Sequence, residues 1–151
     1  MAHHKTNYGG QFPIWVVIEL ASFGLLSKMY SILKTTDKET IAADNYGAIP
    51  YYYIQSWLHS LSLVRNTCAH YGRIYDKRLS IKPKIHRIDI NKGVDNSTFF
   101  SILIVIGKLR SNNTEWISFI TSLAALVENY CVVDIRRLGF PENWEAVLAG
   151  L

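Results

Sequence analysis

Arg65, Asn66 and His70 are the residues of this sequence whose types and spacing suit chemistry. They stand in Leu61-Ser62-Leu63-Val64-Arg65-Asn66-Thr67-Cys68-Ala69-His70-Tyr71, where Leu61, Val64, Cys68 and Ala69 recur at helical spacing. That pattern predicts one helix with a buried face. At about 100° per residue, Asn66 and His70 share a stripe, and Arg65 lies one position to its side. The stretch offers a permanent cation, an amide donor and a group that titrates near neutral pH. Such a set can hold a phosphate and move a proton beside it. On spacing alone, an ion-paired arginine and a satisfied histidine are the commoner reading of such a pattern.

The surroundings carry more. Trp57-Leu58 and Leu61 precede the Arg65-Asn66-x-x-x-His70 pattern, and Tyr71-Gly72-Arg73-Ile74-Tyr75 follows it. Upstream stands Pro13-Ile14-Trp15-Val16-Val17-Ile18-Glu19-Leu20-Ala21-Ser22-Phe23-Gly24, followed by Leu26-Ser27-Lys28. Over residues 12–80 these two ordered motifs resemble the Abi-like (abortive infection) family. Its Leu-Arg-Asn-x-Cys-Ala-His signature marks a HEPN-type ribonuclease helix; here Val64 replaces the leucine. The resemblance implies an all-α, HEPN-like helical bundle over residues 12–151, behind a flexible segment 1–11. It implies an endoribonuclease of anti-phage defence, with Arg65, Asn66 and His70 catalytic and Glu19, Tyr71 and Arg73 in support. It also implies a homodimer in which two such helices face one cleft. Family members usually carry a further amino-terminal region, so the chain is expected to be a fragment or a short relative. The resemblance thus implies either a further amino-terminal region or a regulatory RNA or protein partner.

Composition bounds the alternatives. The chain has 151 residues, 49% apolar and 19% charged, enough for a packed core and unlike a disordered chain. Its net charge of +4 is unevenly placed: between Arg73 and Lys92, seven Lys or Arg face only Asp76 and Asp89. Lys77, Arg78, Lys82, Lys84 and Arg87 are therefore the candidate contacts to an RNA backbone, with a solvated loop as the plain alternative. Cys68 and Cys131 are too few for a disulfide framework; both are expected as buried small hydrophobes in a reducing cytosol. Met1-Ala2-His3-His4-Lys5 lacks the build of a signal peptide, and His3 and His4 are no basis for a metal site.

The elements that must position the three residues follow from periodicity. Residues 13–34 read as one long apolar helix. Its length suits a bilayer, but Glu19 and Lys28 within it favour a core helix and no membrane. A buried Glu19 would then need a partner: an arginine for pairing, or a role in orienting Arg65 or His70. Asp37–Ala43 is a short helix capped by Thr36 or Asp37 and stopped at Asn45-Tyr46-Gly47. Pro50 precedes the central helix, which runs to His70 or beyond but ends before Pro83. Tyr52, Tyr53 and Trp57 are expected mainly in the core, with base stacking as the other use of such aromatics. Residues 80–95 form either a basic extended loop or a small hairpin inserted after the central helix. Later helices are expected from Asn96 or Ser97 to about Leu109, from Thr114 to about Tyr130 with Ile117, Ile120, Leu123, Leu126 and Val127 inward, and around Trp144, Val147 and Leu148.

No Gly-rich phosphate loop, nucleophile elbow or His-Glu-x-x-His motif occurs, and the acidic residues do not cluster. The expectation is a metal-independent ribonuclease with no cofactor. The alternatives are a non-catalytic module that binds RNA or a partner protein through the same face, and the dimerising half of a larger defence protein.

Overall fold

A computed structural model describes Thr6, Gly9, residues 13–47 and residues 49–151. The architecture is all-helical, as expected. The reading of residues 1–11 as a flexible segment falls mostly outside the described residues.

The helix expected over residues 13–34 is two helices, α1 (Ile14–Leu20) and α2 (Phe23–Ile32). Between them Ala21 and Ser22 are extended, and the Ser22 hydroxyl accepts from the Leu25 N–H at 3.2 Å. A serine that bonds the backbone in this way starts a helix rather than continuing one. The break leaves α1 uncovered instead of in the core: Ile14, Trp15, Ile18 and Leu20 are all exposed. Glu19 is exposed as well and forms no ion pair among the described residues, so the buried, paired carboxylate expected here is not found. No helix among the described residues is long and apolar enough to cross a membrane.

Next comes α3 (Thr35–Tyr46), longer than expected at both ends. Its start at Lys34 has no side-chain cap, and Gly47, at φ 61°, stops it. Pro50 then opens the central helix α4 (Tyr51–Ala69), its ring fixing φ at −62° where a missing N–H costs no bond. α4 buries Ile54, Trp57 and Ser60 and packs against α2, α3 and the later helix α6 (Phe100–Leu109). α6 is apolar on nearly every side, the mark of a helix enclosed by others; Phe100, Ile102, Leu103, Ile104 and Val105 are all buried.

Residues 80–95 contain no strand. After an irregular, basic stretch, His86 leads into one short helix, α5 (Arg87–Asn91). Of the two readings of the insertion, the loop is the one adopted. α7 (Asn113–Asn129) starts where Asn112 accepts from the N–H groups of Thr114 and Glu115. A 3₁₀ turn (Ile135–Leu138) leads to α8 (Trp144–Ala149), which docks through Trp144, Val147 and Leu148 as expected. The Trp116 indole donates to the Leu148 carbonyl at 3.0 Å and ties α7 to α8. Gly107 makes that approach possible, because a Cβ there would lie 2.7 Å from the Trp116 ring.

Two expectations about burial are corrected. Of the five residues expected inward on α7, only Ile120 is buried, Leu123 and Val127 are half-buried, and Ile117 and Leu126 are exposed; the buried face is the one that Trp116 and Ile120 share, and α8 packs against α7. Cys68 and Cys131 are both exposed, since each lies in or just beyond the free end of a helix.

His86 fastens the insertion to α4. Its ring stacks on Tyr53 at 4.2 Å, and its buried Nε2 has no hydrogen-bond partner. Burial, and then the nearby Lys108 ammonium, push its pKa below the ordinary 6.5, with Asp89 pulling the other way. The fold therefore favours the neutral ring. That contribution is complete above the unfolded value and is lost as pH falls through the lower folded value. The thermal midpoint should fall between about pH 7 and about pH 5. In His86→Phe, which keeps the stack but not the titration, the fall should be shallower; equal slopes in the two proteins would refute this account.

Candidate functional site

α4 ends in a hydrogen-bonded lock. His70 is its C-cap (φ −103°, ψ 23°), and its N–H donates to the Asn66 carbonyl at 3.0 Å. The Tyr71 N–H donates to the Cys68 carbonyl at 3.1 Å, and the Gly72 N–H to the Thr67 carbonyl at 2.7 Å. These are the paired bonds of a Schellman motif, which satisfies carbonyls that a helix end otherwise leaves free. The helix stops at Ala69 and fixes the His70 backbone one turn beyond Asn66.

The motif places Tyr71 in the left-handed region at φ 55°, where glycine or asparagine is usual. Its side chain is 99% exposed, so no packing offsets the strain. Gly72 must remain small, because a Cβ would lie 2.7 Å from Thr67 Cγ2 and 2.9 Å from its carbonyl oxygen.

Arg65, Asn66 and His70 are all exposed on this end of α4. Arg65 Nη1 lies 3.4 Å from Asn66 Oδ1, and among the described residues the His70 side chain makes no hydrogen bond or ion pair. Arg65 does not pair with Glu19 or with any other carboxylate. Of the commonplace roles for such residues, the ion-paired arginine and the core histidine are not found, whereas His70 does lie at the surface. Fold stability makes no evident use of these side chains, which are free to meet a ligand.

The other candidates divide between two flanks of α4. Arg73, Lys77 and Arg78 border a cleft of about 250 Å³ with Leu63, Val64 and Thr67. Arg78 is already engaged by Asp95, and also donates to Ser97 Oγ at 2.8 Å. Hydrogen bonds from Ser97, with Arg78 beside them, hold the Asp95 carboxyl below the usual range. Lys84 lies on the other flank, in a groove between α2 and α4. Lys82 and Arg87 are exposed and border neither. Of the five basic residues, Lys77 and Arg78 thus border one cleft, Lys84 borders the other, and Leu63 lines both. Among the described residues, no three His, Cys, Asp or Glu are grouped so as to hold a metal ion.

A family model described as Abi-like protein matches residues 1–76, half of the 151-residue chain. The chain belongs to the Abi-like family. Neither a curated protein nor a solved structure matches it. The family points to abortive infection as the setting. Its matched segment includes Arg65, Asn66, His70, Tyr71 and Arg73, and stops before Lys77, Arg78, Lys82, Lys84 and Arg87.

Sequence reasoning passed over His59, which borders the α2–α4 groove. The signal was available: His59 stands seven residues before Asn66, two helical turns along nearly the same stripe.

Because Tyr71 holds a conformation that costs a residue with a Cβ about 1–2 kcal/mol, Tyr71→Gly should stabilise the protein by about 1 kcal/mol in urea unfolding. Gly72→Ala should destabilise it. A less stable Tyr71→Gly protein would show that the exposed ring contributes something the contacts do not reveal.

Proposed function

We propose that this Abi-like chain is a metal-independent endoribonuclease of the HEPN type. The observation that carries the reading is the end of α4, where Arg65, Asn66 and His70 are held on a locked helix terminus with no competing structural partners. The resemblance of the surrounding residues to a HEPN ribonuclease helix supports it. Lys77, Lys82, Lys84 and Arg87 would supply phosphate contacts, which set affinity rather than sequence preference.

In the proposed reaction an RNA 2′-oxygen attacks the adjacent phosphorus. The 2′-O–P bond forms, the P–O5′ bond breaks, and the products are a 2′,3′-cyclic phosphate and a 5′-hydroxyl. A base removes the 2′-hydroxyl proton, and an acid delivers a proton to the departing 5′-oxygen. His70 has a titratable ring suited to either role. Arg65 carries a permanent charge that stabilises the developing phosphorane, and Asn66 positions the phosphate or the imidazole.

One chain brings one His70, whereas in-line displacement is helped by a base on one side and an acid on the other. The active unit is therefore proposed to be a two-fold dimer in which two α4 ends share a cleft. Cys68 and Ala69, small and exposed on the same turn, leave room for a second helix to approach.

Cleavage of mixed RNA should persist in excess EDTA. It should fall by about two to four orders of magnitude in His70→Ala, and also fall in Arg65→Ala. Cleavage by folded His70→Ala at the wild-type rate would refute the mechanism, and RNA binding without cleavage by the wild type would favour a non-catalytic binding module.

A shared site makes a separate demand. When wild-type chains exchange with a large excess of His70→Ala chains, activity should fall faster than dilution alone requires. Activity proportional to the wild-type chain, from a species of monomer mass by light scattering, would refute the dimeric site.

A further inference from the structure

The groove between α2 and α4 has a volume of about 510 Å³, and no carboxylate borders it. Lys28 and Ser27 come from α2, Tyr52, Gln55 and His59 from α4, and Lys84 from the loop that follows. Among the described residues, the Lys28 and His59 side chains form no hydrogen bond or ion pair. Ser27, only 7% exposed, also borders the groove. The Lys84 ammonium lies 4.7 Å from the centre of the Tyr52 ring.

A further cation lies beneath. Lys38 is 7% exposed, and its ammonium donates to the Ser31 carbonyl at 2.7 Å and to Gln55 Oε1 at 2.9 Å. Ser31 and Gln55 themselves border the groove, and no carboxylate pairs with Lys38. A concave surface with cations at its rim and beneath it, and no counter-charge on its walls, concentrates anions.

The groove is also aligned with the candidate site. His59, Asn66 and His70 follow one stripe of α4, and His59 to His70 spans about 16 Å at about 1.5 Å per residue. We propose that this groove holds the sugar–phosphate backbone of the RNA strand that leads to Asn66 and His70. Lys28 and Lys84 contact phosphates. Such contacts fix the strand's path without reading its bases. The assignment rests on the proposed ribonuclease reading and supplies its substrate track.

The test uses a single-stranded oligonucleotide of about 12 nucleotides in which every sugar is 2′-deoxy. It lacks the attacking hydroxyl, so binding is read apart from cleavage. Fluorescence anisotropy across a salt series would compare the wild type with Lys28→Gln/Lys84→Gln. Both lysine side chains are exposed, and the Lys84 backbone keeps its bonds to Trp57 and Ser56 in the variant. The double variant should bind about tenfold more weakly at low salt, with a log–log salt slope smaller by about 1.4, or about 0.7 for each lost contact.

Unchanged affinity and slope in the double variant would overturn the groove while leaving the cleavage reading intact. Failure of the wild type to bind the probe would overturn it too, and equal binding of polyglutamate would reassign the groove to an acidic protein. Probe binding through the groove by a protein that cuts no RNA would leave the groove standing and refute the nuclease alone.

Discussion

The arrangement depends on burying Trp57 while satisfying its indole N–H. Trp57 is fully enclosed, and a buried N–H without an acceptor costs about 1–3 kcal/mol. Its acceptor is the Lys84 carbonyl at 2.6 Å, twenty-seven residues further along the chain. The neighbouring Ser56 hydroxyl accepts the Lys84 N–H at 2.9 Å, and Tyr53 stacks on His86 at 4.2 Å. One turn of α4 thereby captures the returning loop through three contacts, two at Lys84 and one at His86. The basic loop is laid along α4 rather than released into solvent, and Lys84 is delivered to one flank while Lys77 stays on the other.

This division of labour separates stability from chemistry along a single helix. The first half of α4 holds the core through Ile54, Trp57 and Ser60, whereas Arg65 and every residue from Cys68 to Gly72 are exposed. The end is nonetheless well defined, because the Schellman bonds hold its backbone without help from packing. Side chains there can change with little effect on the core.

Much of the architecture was legible in the sequence because the signals were local. Pro50 marked the start of α4, Thr114 came within one residue of the start of α7, and the spacing of Trp144, Val147 and Leu148 marked the docking of α8. The failures have physical causes. A periodic apolar run does not reveal that Ser22 turns its hydroxyl onto the Leu25 N–H, so two helices read as one. Periodicity also gives the direction of a face and not what covers it, which is why Ile117, Leu126 and α1 were expected to be inside. The stop at Ala69 carried no glycine or asparagine at the left-handed position; Tyr71 occupies it, and the only glycine comes one residue late. For the site, Arg65, Asn66 and His70 were legible as residue types on one helix. Their freedom from structural partners, and the separation of the basic residues onto two flanks, depended on long-range contacts such as that between Trp57 and Lys84.

Lys38 marks a place where selection for robustness and selection for function diverge. Its ammonium is enclosed with a carbonyl and an amide oxygen for company and no opposing charge, an arrangement that a methionine of similar length would relieve. A lineage or a laboratory screen rewarding heat resistance alone would be drawn to that exchange, and would remove a fixed charge from beneath the groove in doing so. Thermostable descendants of this chain that retain Lys38 would record a requirement other than folding.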